Sequence, residues 1–383
     1  MAFMEIMEFR HQELQGALDA LQTLHVPLVE KVGTSVAPVG LGDDKGAYYF
    51  IPHLAQGLGI PLDQAVNLFY GFLDFFPLLL ALAGFWLFFK SGWARAWVPL
   101  GLAWFFFATK IWDVYLAGSF SVLCVIPFLL FAWHKPGKNW QWLLLLALDG
   151  IFCGFADLVR SHSGTGAILF ALLLLVLSPR LKYGRKAGFA VMLLAFFIVP
   201  QWQFHFVEKK RDDYLRKTLG TAYEMNTRHS FWHPVYIGLG YVANPYGIEY
   251  RDQVAYDKVK EVDPTVVHFS ARYEEIMRDQ VFLLARKDPG FILKNLFVKF
   301  MRVCYYALKF GNLGWIALFY WGIPWRTALP FLAMALFTAL PSLLVMPGIP
   351  YAAGFVAGAT VFGIYATGIA IDKYIGGRKA KTV

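Results

Sequence analysis

Nine apolar stretches recur along the chain, at residues 67–89, 97–112, 119–133, 142–158, 164–178, 187–206, within 291–322, and at 328–346 and 351–371. A helix needs about 20 apolar residues to cross a bilayer. The pattern therefore predicts an all-α polytopic membrane protein with about nine transmembrane helices. The stretches 119–133 and 164–178 are short, which calls for bilayer thinning or extension into flanking residues. Short polar connectors at 90–95, 134–138, 180–186 and 378–381 carry most of the orienting Lys and Arg. Loops of that kind stay cytoplasmic. Alternation from those points places the C-terminus inside, and residues 1–66 and 207–290 on the extracytoplasmic side.

Four regions follow. Residues 1–66 form an outer N-terminal segment with an acidic loop and an amphipathic helix. Residues 67–206 hold six transmembrane helices, 207–290 an aromatic-rich outer loop region, and 291–383 an amphipathic helix and the last transmembrane helices. No apolar span or signal peptide is read before residue 67. The outer placement of the first segment thus requires it to cross unaided or to continue from a start upstream of Met1.

Composition agrees with a membrane protein: 58% of the 383 residues are hydrophobic and 16% charged, where soluble domains carry about a quarter charged. The net charge of +9 sits in connectors and one basic helix, without aromatic-interleaved motifs, so no nucleic-acid partner is expected. Cys124, Cys153 and Cys304 lie in apolar or amphipathic stretches and read as small core residues. None of the nine histidines pairs with another inside a span at haem-ligand spacing. Lys294, Lys299, Arg302 and Lys309 fall on one arc of a helical wheel, away from Leu296, Phe297, Phe300 and Val303. That stretch is either an interfacial helix or a span whose basic face lines a cavity.

Candidate chemistry gathers on the outer side. In GLGDDKGAYYFIPHLAQGLGI, Asp43 and Asp44 precede a short amphipathic helix carrying Tyr48 and Tyr49. One carboxylate faces a ligand, or the pair simply caps the helix. Asp74 and Asp149 lie within spans, where ionisable residues line cavities or pair. Asp157 and Arg160 are three apart and can form an interfacial ion pair; Lys110 and Asp113 supply another at similar depth. Arg160, His162 and the following glycines open a helix whose free N–H groups suit a phosphate, or an ordinary cap. From His229 to Asp252, Trp232, His233, Tyr236, Tyr241, Asn244 and Tyr246 crowd among glycines and prolines, which predicts loop without regular structure. Rings that cover C–H faces beside polar tips suit a sugar; each ring alone equally suits a headgroup-level belt. His229 and His233 lack a third ligand, so no metal site is read there.

An acidic outer loop followed by an amphipathic helix, paired short spans, and a later aromatic outer loop together resemble the GT-C class of membrane glycosyltransferases. The likeness covers about residues 42–308. It implies transfer of a sugar from a polyprenyl-phosphate carrier to a glycan, lipid or protein acceptor, outside the cell membrane. It puts Asp43 or Asp44 in the place of the catalytic carboxylate, and Arg160 and His162 in that of a carrier-phosphate contact. The chain departs from the class in showing no span before the acidic loop. The chemistry itself requires a carboxylate base, cations or helix N-termini for the leaving phosphate, and an apolar groove for the lipid tail. Lys110 and Arg302 are further phosphate candidates, and one base rather than two spaced carboxylates predicts inversion. No cofactor is required, although a divalent cation can sit where Asp43 and Asp44 meet phosphate oxygens. Two other readings stand beside this one. The first is a non-catalytic subunit that grips a protein partner through its outer aromatic loop. The second is a transporter of a lipid-linked substrate working through Asp74 and Asp149, against which the sequence shows no internal repeat.

Overall fold

The computed structural model describes residues 2–33, 35–39, 44–135, 138–220, 230–268 and 270–381, and helices dominate them. The chain opens with α1 (Ala2–Leu24), then a hairpin of β1 (Val29–Val32) and β2 (Ser35–Pro38), with Val29 opposite Pro38. This hairpin is a small departure from an all-α fold. After α2 (Lys45–Leu58) come α3 (Leu62–Phe88), α4 (Gly92–Thr109), α5 (Leu116–His134), α6 (Asn139–Val159), α7 (Thr165–Leu177) and α8 (Tyr183–Leu219). The outer-loop region holds α9 (Trp232–Gly238), α10 (Asp252–Val262) and α11 (Ala271–Lys287). The chain closes with α12 (Pro289–Gly311), α13 (Leu313–Trp321), α14 (Trp325–Leu344) and α15 (Ala353–Lys381).

Among the described residues, six helices are long and apolar enough to cross a membrane: α3, α5, α6, α8, α14 and α15. Their packing is inside-out relative to a soluble protein. Leu79, Trp86 and Val191 face outward, while Ser121 and Asp149 are buried, and one Asp149 oxygen has no hydrogen-bond partner. Such a distribution belongs to a bundle solvated by lipid, because only there does outward apolar surface carry no hydration cost. Helix α5 sits at the centre, buried on nearly every side. Helices α6 and α8 cross closely at Gly150 and Gly154. A Cβ there would stand 2.6 Å from the Leu193 oxygen and 2.5 Å from the Phe197 oxygen. The GxxxG spacing permits that approach.

Helices α12 and α13 form one broken rod. The break falls at Asn312, whose φ is +31°, and two carbonyls in the turn before it meet indole donors. Trp315 Nε1 donates to Ala307 O at 2.8 Å, and Trp104 Nε1 to Lys309 O at 3.2 Å. A break between two apolar helices is tolerable when its backbone groups find partners in this way. The basic arc expected on α12 does not stay together. Lys299 and Asn295 are buried, with Lys299 Nζ donating to Leu344 O at 3.3 Å, whereas Lys294 is exposed beside Leu293 and Phe297. Asn295 and Lys299 turn inward, and Leu293, Phe297 and Phe300 stay on the outer face.

The bundle has two unlike ends. At one, Arg180 donates to Trp133 O at 2.8 Å, Lys186 to Val176 O at 2.5 Å, Lys135 to Leu87 O at 3.4 Å and Arg95 to Phe89 O at 3.0 Å. There Asp372 accepts from the Lys90 and Ser91 amides at 3.1 and 2.9 Å, where α4 begins. Cations thus meet helix C-termini and an anion meets an N-terminus, as the helix dipole favours. The other end carries the hairpin, α2 and α9–α11. The charged continuation of α8 past residue 206 packs there, with Leu215 buried against Ala20, Val26 and Val29.

The aromatic outer stretch is not all loop. Trp232–Gly238 is helical because Glu274 Oε2 accepts from the Phe231 and Trp232 amides at 2.9 and 3.0 Å, capping its N-terminus. Pro234 falls in the first turn, where a missing N–H costs nothing.

Candidate functional site

Helix α1 is amphipathic, with Leu14, Ala17, Leu18 and Leu21 buried along one stripe. Arg10 lies on that same stripe, one turn before Leu14, so its guanidinium is carried inward rather than into solvent. It meets two carboxylates. One Nη lies 3.1 Å from Asp44 Oδ2, and the other contacts Asp113 Oδ1. Asp44 stands at the N-cap of α2, yet its side chain does not cap the helix. Asp113 lies between α4 and α5, and its Oδ1 also accepts from the Val114 amide at 2.7 Å. Burial alone would lower the Arg10 pKa; the carboxylates of Asp44 and Asp113 outweigh it and hold the group charged.

One turn further along α1, Glu13 accepts a hydrogen bond from the Tyr48 hydroxyl. Burial pushes the Glu13 carboxyl up to about 7, against an opposing effect of that hydrogen bond. Burial, with Asp44 and Glu13 nearby, raises the Tyr48 phenol far above its ordinary range, so it serves as a donor. Lys45 closes this side through Glu208 on α8 at 2.9 Å. Helix α2 rests directly on the end of α6: a Cβ on Gly46 would stand 2.6 Å from the Leu158 oxygen.

Next to this cluster lies a second cation. The Arg160 guanidinium sits over the Tyr115 ring at 4.6 Å, with Nη2 3.4 Å from the Tyr115 hydroxyl. Tyr115 stands in the fields of both Arg160 and Arg10, which makes the two groups neighbours. Tyr115 also meets Tyr351, ring centroids 5.0 Å apart, and the Tyr250 hydroxyl donates to that of Tyr351 at 2.6 Å. A polar chain therefore runs from α1 to the loop before α15 and out to the 250s.

The sequence-derived candidates sort as follows. Asp44, Tyr48, Asp113 and Arg160 come together in this centre. Asp157 does not serve as the expected partner of Arg160 alone: its Oδ1 accepts from the Gly164 amide at 2.6 Å and caps α7. His162 holds a left-handed φ of +65° in the turn that Ser121 braces by donating to Ser163 O at 2.6 Å. Asp113 pairs with Arg10 rather than with Lys110, which is exposed at the left-handed end of α4. Tyr49 turns away from Tyr48 and packs on His53 and Phe204. In the outer-loop core, His233 lies 2.5 Å from the Tyr273 hydroxyl and 3.0 Å from Asp252, while Trp232 packs on Phe282. Asn244 spends its amide on its own loop, donating to Val242 O and Ile248 O and accepting from the Tyr246 and Ile248 amides. Arg302 stacks on Tyr305 and Tyr306, and Tyr306 anchors to Pro347 O at 3.0 Å. Asp43 and His229 lie outside the described residues.

Sequence reasoning missed Arg10, Glu13, Tyr115 and Tyr351. For Arg10 a signal existed, a lone cation on an apolar helical stripe. The tyrosines had none, because their meeting depends on distant loops. Two carboxylates that share one guanidinium, with a second guanidinium alongside, can take a proton from a hydroxyl and hold an anion next to it. None of the family models, curated proteins or solved structures compared with this chain matches it.

Proposed function

We propose that the protein is a GT-C-type membrane glycosyltransferase, moving a sugar from a polyprenyl-phosphate carrier to a glycan, lipid or protein acceptor outside the cell membrane. The observation that carries this reading is the Arg10–Asp44–Asp113 cluster beside Arg160, at the end of the bundle opposite the basic connectors. Counting α12 and α13 as one broken span, α3 to α8, α14 and α15 complete nine crossings, with the C-terminus cytoplasmic. Asp44 takes the proton of the acceptor hydroxyl as its oxygen bonds to the anomeric carbon. The bond from that carbon to the phosphate oxygen breaks, and the carrier phosphate leaves with its charge facing Arg160. Attack from the side opposite the leaving group inverts the centre. Arg10 positions Asp44 through their ion pair. A divalent cation between Asp44 and Asp113 would have to displace Arg10, so activity is expected without added metal.

The test is turnover of a labelled polyprenyl-phosphate sugar by the protein reconstituted in vesicles, read as released polyprenyl phosphate. Loss of the base in Asp44→Asn should slow turnover by about 100- to 10,000-fold. Undiminished turnover in an Asp43→Asn/Asp44→Asn double variant refutes the assignment, and a wild type inert toward a panel of donors refutes the activity.

A further inference from the structure

A second feature lies at the opposite end of the bundle from the Arg10–Asp44–Asp113 cluster. Helices α4, α13 and α15 enclose an apolar groove of about 950 Å³, walled by Trp93, Trp97, Trp321, Ala370 and Tyr374. Two polar atoms on its walls are buried without a hydrogen-bond partner, the Trp97 indole N–H and the Thr367 hydroxyl. Thr367 as a whole is only 8% exposed. An unpartnered donor costs free energy unless something supplies an acceptor. Both donors lie at matching depth. Ser91, at the start of α4, is bonded to Asp372 of α15, which fixes a common level for the two helices. Trp97 is six residues from that level and Thr367 five, or roughly 8–9 Å at 1.5 Å per residue.

The rim around that level is cationic. Lys90 directly precedes Ser91 and Lys373 directly follows Asp372, and both are exposed. The nearby acid, Asp372, is already held by two backbone amides. A groove for one chain, acceptors wanted roughly 8–9 Å below that level, and a basic rim describe a single ligand class. We infer that this groove is a binding site for an anionic glycerophospholipid. One acyl chain fills the aromatic groove, its ester carbonyl accepts from Trp97 and Thr367, and the phosphate sits among the lysines.

The probe is phosphatidylglycerol against phosphatidylcholine, added to delipidated full-length protein in mixed micelles and read by native mass spectrometry. Wild type should retain one phosphatidylglycerol with about tenfold preference. Ala370→Trp should fill the groove and abolish that one retained lipid, with unfolding temperature confirming an intact fold. Thr367→Val should weaken retention of both lipids, and Lys90→Gln/Lys373→Gln should erase the preference while keeping the chain bound. Equal retention of both lipids by wild type overturns the headgroup assignment. Phosphatidylglycerol still bound in Ala370→Trp, or unaffected by Thr367→Val should the larger change not fold, overturns the site.

Discussion

Replacing Arg10 with Met tests whether the first helix holds the site together. The guanidinium side chain is 18% exposed, its partners Asp44 and Asp113 14% and 7%. At an effective dielectric near 20 and roughly 4 Å between charge centres, each carboxylate gains about 4 kcal/mol from the cation, most of it offset by desolvation. Removing the cation leaves that desolvation uncompensated on two carboxylates, which costs about 3–5 kcal/mol. Met keeps the aliphatic stem, so little packing is lost. Denaturant titration of the purified protein in mixed micelles reads the loss. A triple variant, Arg10→Met/Asp44→Asn/Asp113→Asn, has no orphaned charge and should recover more than half of it. If Arg10→Met changes stability by less than about 0.5 kcal/mol, or the triple variant is no better than the single, the cluster is a solvated surface pair and the reasoning fails.

Glu13 supplies a pH dependence. Its folded pKa near 7 exceeds the reference 4.5, so the folded chain binds the proton more tightly than the unfolded one. Its stabilising contribution is complete below pH 4.5 and is lost as pH rises through 7. Glu13 is only partly buried, so solvent screening reduces the effect to about 1 kcal/mol. Glu13→Gln should flatten that slope, checked by unfolding at pH 5 and pH 8; an unchanged slope refutes it. In the bundle, Gly154→Val should cost about 1–3 kcal/mol by forcing α6 from α8. Gly184→Ala on the same α8, with nothing within 4 Å, should cost nothing or stabilise slightly in the same unfolding assay. Equal effects of the two would remove the close-crossing argument.

The apolar runs coincide with helices because burial in lipid and the 3.6-residue period leave little choice over such lengths. Boundaries were less legible. The stretch at 291–322 reads as a basic amphipathic helix with a span somewhere inside it, and nothing in its hydropathy marks Asn312 as a break or names Trp104 and Trp315 as the donors beside it. The basic arc on α12 was visible, but a helical wheel cannot say which cation turns in, and Lys299 does so because a free carbonyl at Leu344 awaits it. At the site, Asp44 and Arg160 stood out by type and spacing. Asp113 stood out too, but as a partner of Lys110; Arg10 did not, because it and Asp113 are 103 residues apart and meet only through tertiary packing. In the outer loop, composition suggested exposed recognition groups, whereas Asn244 bonds the backbone of its own loop and His233 meets Tyr273 and Asp252.

The cations at the ends of α3, α5 and α7 have a consequence for the history of the chain in the membrane. Under the proposed orientation, Lys135, Arg180 and Lys186 first act as a sorting label, keeping their connectors from crossing while the helices insert. Afterwards the same side chains close carbonyls left open at Leu87, Trp133 and Val176. Address and lock are thus one set of atoms. A chain inserted upside down would carry the same sequence into the same fold, yet only after dragging these charges across the bilayer, so the folded bundle itself keeps no memory of which way it went in. Charge substitutions made to reverse that orientation will also loosen the very helix ends that seal the bundle.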